Sequence, residues 1–391
     1  MRILQVIPVF SDPFGGPVTV VRSISKELAK RHEVVVYTTT ALDPKHDFSP
    51  GEEEVDGYRV VCFPRTFRQL CYTGVFGTLS LSLNMMKALK ENLKDFDIVH
   101  CHSWQQFPDV VVCHYATKYV VPYVLQTHGS IPRIGKKFRK ITYDVIFGHR
   151  VLNSASKVIA LSQVEVEQYR QMGVPEEKIA IIPNGIDLSE YADLPPKGCF
   201  KKKFGIKEDE RIVLYLARIH KIKGVDILVR AFANVIKKLD DVRLVVVGPD
   251  DGYLGELETL IKALKMENNV LIAGPLYGRD KLEAYVDADV YVLPSRYEIF
   301  GMTVLESVAC GTPVILTGNC GIAEYFRDKT GLVVKTDSPS NLQGTLLEML
   351  INREKQKDFR ESCKPVIQKF SISETVSKLE KVYEKVVTQS L

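Results

Sequence analysis

Glu298 and Glu306 bracket the stretch Glu-Ile-Phe-Gly-Met-Thr-Val-Leu-Glu, two acids with seven residues between them. The stretch follows a buried-strand pattern at 290–294 and a polar turn, Ser295-Arg296-Tyr297, and it runs into an apolar-periodic helix at 303–309. A strand, a turn and a helix whose first turn holds Gly301 make an anion site. The free amides at the helix start point outward, the macrodipole favours negative charge, and glycine lets a phosphate reach the backbone. Were the whole stretch helical, the two acidic Cα atoms would lie about 12 Å apart. That separation suits opposite ends of an elongated ligand rather than a shared metal. Carboxylates accept hydrogen bonds, so hydroxyl-rich sugars are natural partners. A diphosphate with a polyol at each end describes a nucleotide-sugar. A bare acid pair near a helix start is commonplace on any protein; the strand, the glycine and the turn after the helix give this one weight.

Other residues could share that chemistry. Arg218 and Lys223, in Ala-Arg-Ile-His-Lys-Ile-Lys-Gly, follow an apolar strand and precede a helix starting near Gly224. Two cations there could neutralise a diphosphate, arginine bidentately, or could simply be solvated. Gly15-Gly16 follow the first strand and precede a helix, but the Gly-x-Gly-x-x-Gly pattern is missing. The second strand ends Thr38-Thr39-Thr40 where a dinucleotide fold needs an acid, so a nicotinamide cofactor is not expected. His128-Gly129 follow an apolar strand at its carboxyl end, where open α/β sheets place ligands, although a histidine there can merely cap the strand.

Three patterns mislead. The run from Gly129 to Lys137 resembles a P-loop, but it has one residue too many and lacks the magnesium-binding hydroxyl. Asp287-Ala288-Asp289 imitates a metal-binding Asp-x-Asp, yet it joins a helix to a buried strand. His100-Cys101-His102 ends a strand with no third ligand evident nearby. A basic cluster, Arg133, Lys136, Lys137, Arg139 and Lys140, reads as a solvated loop, an acceptor-phosphate site or an anionic-membrane patch.

The positioning elements come in two series. Strands are expected at 3–9, 34–38, 59–63, 98–101, 123–127, 157–161 and 179–183, with amphipathic helices between several of them, such as 17–30, where Pro17 suits the first turn. A second series holds strands at 212–216, 244–247, 270–273, 290–293 and 314–316 and helices at 225–238, 255–264 and 279–286. Such alternation predicts right-handed βαβ units and two largely parallel sheets. Residues 43–57 are acidic and turn-rich, and a mobile loop is expected there. Periodicity breaks from Asn184-Gly185 to Lys197-Gly198, the expected linker. The domains are then 1–190 with 371–391, and 198–370.

Bulk properties agree with two soluble domains. The chain has 391 residues, 45% apolar and 26% charged, and a net charge of +4 that gives no reason to invoke nucleic acid. Its eight cysteines include no Cys-x-x-Cys pair. The first residues already read as a strand, so no signal peptide is expected. The longest uncharged run, 69–86, is too polar to span a bilayer comfortably. The expected location is cytoplasmic, with peripheral contact at the inner face of the membrane.

The acid pair, with Phe300-Gly301 after the first acid and Gly311-Thr312-Pro313-Val314 after the helix, resembles the Glu-x7-Glu motif of the retaining glycosyltransferases of family four. The likeness spans nearly the whole chain, strongest over 217–334 and loosest over 43–106. It implies a GT-B fold, in which two Rossmann-like, doubly wound α/β domains face a cleft and the last helix returns to the first domain. It implies that Glu298 contacts the donor sugar, that the backbone from Phe300 through Gly301 to Met302 holds the distal phosphate, and that Glu306 binds the ribose. By the same resemblance Arg218 and Lys223 stabilise the leaving nucleotide, Gly15 and Gly16 lie against the donor phosphates, and His128 touches the sugar. The base is expected near Leu276 and Tyr277, and Asn184 reads as structural. Catalysis would fall to Glu298, His128, Arg218 and Lys223. Helix amides and two cations already supply positive charge, so neither metal nor cofactor is expected. The expected reaction moves a hexosyl unit from a UDP-, GDP- or ADP-sugar to a glycan, lipid-linked or small-molecule acceptor. The alternatives are a nucleotide-sugar epimerase on the same fold and a non-catalytic nucleotide-sugar-binding subunit.

Overall fold

Runs such as Glu-Val-Val-Val-Tyr-Thr-Thr and Val-Arg-Leu-Val-Val-Val are rich in β-branched residues with little alternation, the signature of strands covered on both faces. In the computed structural model, which describes residues 1–11, 15–42, 46–66, 81–132 and 141–390, they form the centres of two sheets. The chain divides into two compact units, Met1–Gly185 with Ile372–Leu391, and Ile186–Ser371. Both sheets are doubly wound.

Among its described residues the first unit has eight strands: β1 (Arg2–Val6), β2 (Glu33–Thr39), β3 (Gly51–Val55), β4 (Tyr58–Phe63), β5 (Ile98–Cys101), β6 (Tyr123–Gln126), β7 (Lys157–Ala160) and β8 (Ile179–Ile181). Their order is β3-β4-β2-β1-β5-β6-β7-β8, parallel except for the β3–β4 hairpin. The order reverses between β1 and β5, which makes their carboxyl ends the place for a ligand. The helix Ile372–Ser390 belongs to this unit and is tied down by polar contacts. Glu380 pairs with Arg31 and with His32, each at 2.9 Å, and the Tyr383 hydroxyl meets His100 Nδ1 at 2.6 Å.

The loop expected at 43–57 is corrected in part. Residues 43–45 lie outside the described residues, but Gly51–Val55 forms edge strand β3. Its sequence, Gly-Glu-Glu-Glu-Val, has no apolar alternation because neither face is covered. Pairing with β4 holds it, with Glu52 bonded to Arg59 at 2.9 Å, and the charges discourage further strand addition. The basic cluster at 133–140 and most of the uncharged run 69–86 lie outside the described residues.

The second unit has six strands: β9 (Arg211–Leu216), β10 (Val242–Val247), β11 (Val270–Gly274), β12 (Val290–Leu293), β13 (Val314–Thr317) and β14 (Gly331–Val334). Their order is β11-β10-β9-β12-β13-β14, all parallel, and it reverses between β9 and β12. The helix Val225–Val235 is amphipathic and buries Ile227, Leu228, Ala231 and Phe232 against the sheet. Of the expected linker, 184–198, residues 186–198 group with this unit and include the short helix Leu188–Tyr191. Sequence periodicity also passed over β14 and the helices Pro339–Ile351 and Arg353–Ile367. No helix among the described residues is long and apolar enough to cross a membrane.

Candidate active site

In the second unit the loops after β9 and β12 leave neighbouring strands at the switch point, and they carry Lys223 and Glu298. The two side chains form an ion pair, Nζ to Oε2 2.5 Å, with 16% and 15% of their surfaces exposed. The backbone holds the loops together: Arg296 N–H donates to the Ile222 carbonyl at 2.8 Å, and the Arg296 guanidinium grips Asp226 through two bonds of 2.8 Å. Gly224 makes the approach possible. It adopts a left-handed φ of 71°, and a Cβ there would stand 2.0 Å from the Pro294 carbonyl oxygen at the end of β12.

Glu298 is also fixed through its backbone, since its carbonyl accepts from Gly321 N–H at 2.9 Å. Beyond it the chain buries Ile299 and Phe300 and turns at Gly301, whose φ is 74°. Gly301 caps the helix Met302–Ala309 rather than lying inside its first turn, so the amides of the following residues open the helix. Glu306, one turn on, has both carboxylate oxygens engaged. Lys281 Nζ donates to one at 2.9 Å and the Tyr285 hydroxyl to the other at 2.9 Å. Burial raises the Tyr285 phenol well above its ordinary value, which keeps it a donor.

Arg218 lies earlier in the loop after β9. It is exposed and paired with Asp251 in the loop after β10. Leu276 is half-buried and Tyr277 is 73% exposed, both just after β11. Asp287 and Asp289 are occupied structurally. The Asp287 carboxylate caps the helix Cys199–Phe204 by accepting from the Lys201 amide at 2.9 Å, and Asp289 accepts from Ile212 N–H at 2.8 Å.

In the first unit Gly15 has a φ of 73° and caps the helix Gly16–Ala29, with Pro17 in the first turn. His128, two residues beyond β6, lies in the left-handed region, φ 49°, which is costly for a residue with a side chain. Its Nε2 lies 3.1 Å from His102 Nδ1, and the two rings stack with centroids 5.3 Å apart. Burial drives the His102 imidazole well below its ordinary value and His100 down to about 3, so both rings are neutral at physiological pH; burial lowers His128 as well. Asn184 is buried and accepts from Gln126 Nε2 at 3.1 Å.

Sequence reasoning missed Lys281, Tyr285, Gln5 and Glu165, and met His102 only inside a discounted metal pattern. Lys281 and Tyr285 sit four residues apart on one face of the helix Gly278–Asp287, a spacing that was available to be read. The other three are polar groups in apolar settings. A buried polar residue without an evident partner was the only signal.

Comparison with known proteins matches both halves. Residues 14–190 fit the family described as Glycosyltransferase Family 4, and residues 197–364 that described as Glycosyl transferases group 1. D-inositol 3-phosphate glycosyltransferase of Kineococcus radiotolerans is 27% identical over 86% of this chain and 82% of its own length. Alpha-monoglucosyldiacylglycerol synthase of Streptococcus pneumoniae is 27% identical over 90% of this chain and 78% of its own. Among solved structures, Anabaena HepE in complex with UDP and glucose superposes with a TM-score of 0.79 at 19% identity, covering 98% of this chain and 100% of that one. Two doubly wound parallel-sheet units of this order, together with that superposition, define the GT-B fold. Within that class the chain belongs to glycosyltransferase family four.

Proposed function

We propose that the protein transfers a hexosyl unit from a nucleotide-diphosphate sugar, with retention at the anomeric carbon and without a divalent metal. The observation that carries this reading is the pairing of Lys223 with Glu298 at the switch point, one turn of structure before a glycine-capped helix that ends its first turn near Glu306. Glu298 reads the hydroxyls of the transferred sugar, and Lys223 lies beside it to meet the distal phosphate. The opening amides of the helix Met302–Ala309 and Arg218 take up charge as the diphosphate leaves. Those groups make a magnesium ion redundant. Glu306, held by Lys281 and Tyr285, accepts from the ribose hydroxyls, and Leu276 and Tyr277 lie near the base. By the resemblance alone, Gly15, Gly16 and His128 are read as donor contacts, His128 to the sugar.

HepE binds UDP and glucose, which supports a uridine nucleotide as the first donor to try. For the acceptor, an amphiphile carried on an anionic membrane fits best. Ile141, Val145, Ile146 and Phe147 form an exposed apolar stretch in the first unit, directly after the basic sequence 133–140. The Streptococcus relative is named for a diacylglycerol product. A thermal-shift screen against UDP-, GDP- and ADP-sugars tests the donor class, because a ligand of the folded state raises the melting temperature by mass action. Stabilisation by one nucleotide-sugar, and release of its nucleotide only when acceptor lipid is added, supports transfer. Conversion of the donor to another sugar without any acceptor would establish the epimerase instead.

A further inference from the structure

Gln5, His102 and His128 end three adjacent strands of the first unit, β1, β5 and β6, or stand just beyond them. Gln5 is fully buried, and its amide oxygen lies 2.5 Å from His102 Nε2. A nitrogen at that distance would be too close for an N–H···N contact, so the oxygen faces the ring. An amide oxygen only accepts, and therefore His102 carries its proton on Nε2. With the ring neutral, His102 Nδ1 holds a lone pair, and its neighbour 3.1 Å away, His128 Nε2, must be the donor. His128 is left with its own lone pair on Nδ1. Protons are donated in one direction along the row, from His128 to His102 to Gln5.

The backbone around His128 is held just as firmly. Glu165 Oε1 accepts from the Thr127 hydroxyl at 2.8 Å and from Gly129 N–H at 2.7 Å, one residue to either side, and its Oε2 accepts from Leu161 N–H at 2.8 Å. This clamp sustains the left-handed conformation of His128, which otherwise costs about 1–3 kcal/mol.

We infer that Gln5 is a positioning residue that sets the tautomer of His128 through His102, so that His128 meets its ligand as a hydrogen-bond acceptor at Nδ1. The inference rests on the reading of His128 as a contact to the donor sugar. It narrows that contact to a ligand group that donates, such as a sugar hydroxyl, which no carboxylate, phosphate or carbonyl oxygen can replace.

The test is nitrogen-15 spectroscopy of the histidine rings in the full-length protein, joined to donor-turnover kinetics. Wild type shows both His102 and His128 protonated at Nε2. Gln5→Leu removes the acceptor, and a population of His128 protonated at Nδ1 appears. Gln5→Met, close to glutamine in shape but without an acceptor, shows the same population, so lost packing is not its cause. In step with the spectra, kcat falls about tenfold in Gln5→Leu and Gln5→Met, the worth of one hydrogen bond, with nucleotide affinity unchanged. Wild-type His128 protonated at Nδ1, or Gln5→Leu spectra indistinguishable from wild type, overturns the relay. His128→Ala measured beside them separates the two claims. Full activity in that variant sinks the sugar contact, while the ring spectra still decide the relay.

Discussion

Replacing Gly224 with alanine should disable the enzyme far more than the loss of one glycine suggests, and Gly311→Ala is its natural control. Both glycines are left-handed, at φ 71° and 76°, so each substitution incurs about 1–2 kcal/mol of backbone strain. At Gly311 the new Cβ meets nothing within 4 Å, and strain is the whole cost. At Gly224 the Cβ would stand 2.0 Å from the Pro294 oxygen, where real Cβ atoms keep at least 3.0 Å, and the obstacle is backbone. The loop after β9 must therefore retreat by about 1 Å from the loop after β12, adding roughly 1–3 kcal/mol of overpacking. That retreat carries Lys223 away from Glu298, and a displacement of about 1 Å costs about a hundredfold in rate. Urea unfolding and nucleotide release from saturating donor measure the two effects. Gly224→Ala should lose about 2–5 kcal/mol and about a hundredfold in kcat, against about 1–2 kcal/mol and near-normal kcat for Gly311→Ala. A folded Gly224→Ala enzyme within threefold of wild-type kcat, or equal losses in both variants, would refute the reasoning.

Three further outcomes follow from the same geometry. His100, buried and pushed down to about 3 from an unfolded 6.5, gives stability that is complete above pH 6.5 and is lost as pH falls toward 3; between pH 7 and 5 wild type should lose about 2 kcal/mol more than His100→Asn in paired urea melts. The comparison with that variant removes Asp109, whose carboxyl is raised by burial to about 7 and titrates in the opposite sense. Lys281→Met, freeing one oxygen of Glu306, should raise donor KM severalfold with kcat nearly unchanged, and a fall in kcat alone would place Lys281 elsewhere in the reaction. Liposomes with anionic lipid should sediment the protein less as salt rises and less after Val145→Asp with Ile146→Asp; no binding even at low salt removes the membrane from the account, since each basic residue near such a surface contributes about 1 kcal/mol.

The switch-point strands and the acid pair were legible because their signals are local: a buried run, a turn, a glycine and a periodic helix within twenty or so residues, roughly one βα unit. The partners of those acids were not. Lys281 reaches Glu306, and Asp251 reaches Arg218, only because parallel crossovers bring distant loops to one edge of a sheet. Gln5 reads as one residue of an apolar strand, and its use depends on β5 being its neighbour. The edge strand Gly51–Val55 carries no hydrophobic pattern, since nothing packs on it, so its pairing was invisible to periodicity.

The central claim is that Glu298 and Glu306 read opposite ends of one donor, and kinetics on Glu298→Gln and Glu306→Gln, with and without chelator, test it most directly. In the proposed arrangement Glu298 faces the sugar whose bond breaks, so its variant should lose kcat strongly while nucleotide affinity changes little. In the same proposal Glu306 serves a ribose that is unchanged in the reaction, so its variant should act through donor KM. Chelator should leave the wild-type rate intact. Equal kcat losses in both variants, or a rate abolished by chelator and restored by magnesium or manganese, would contradict the account.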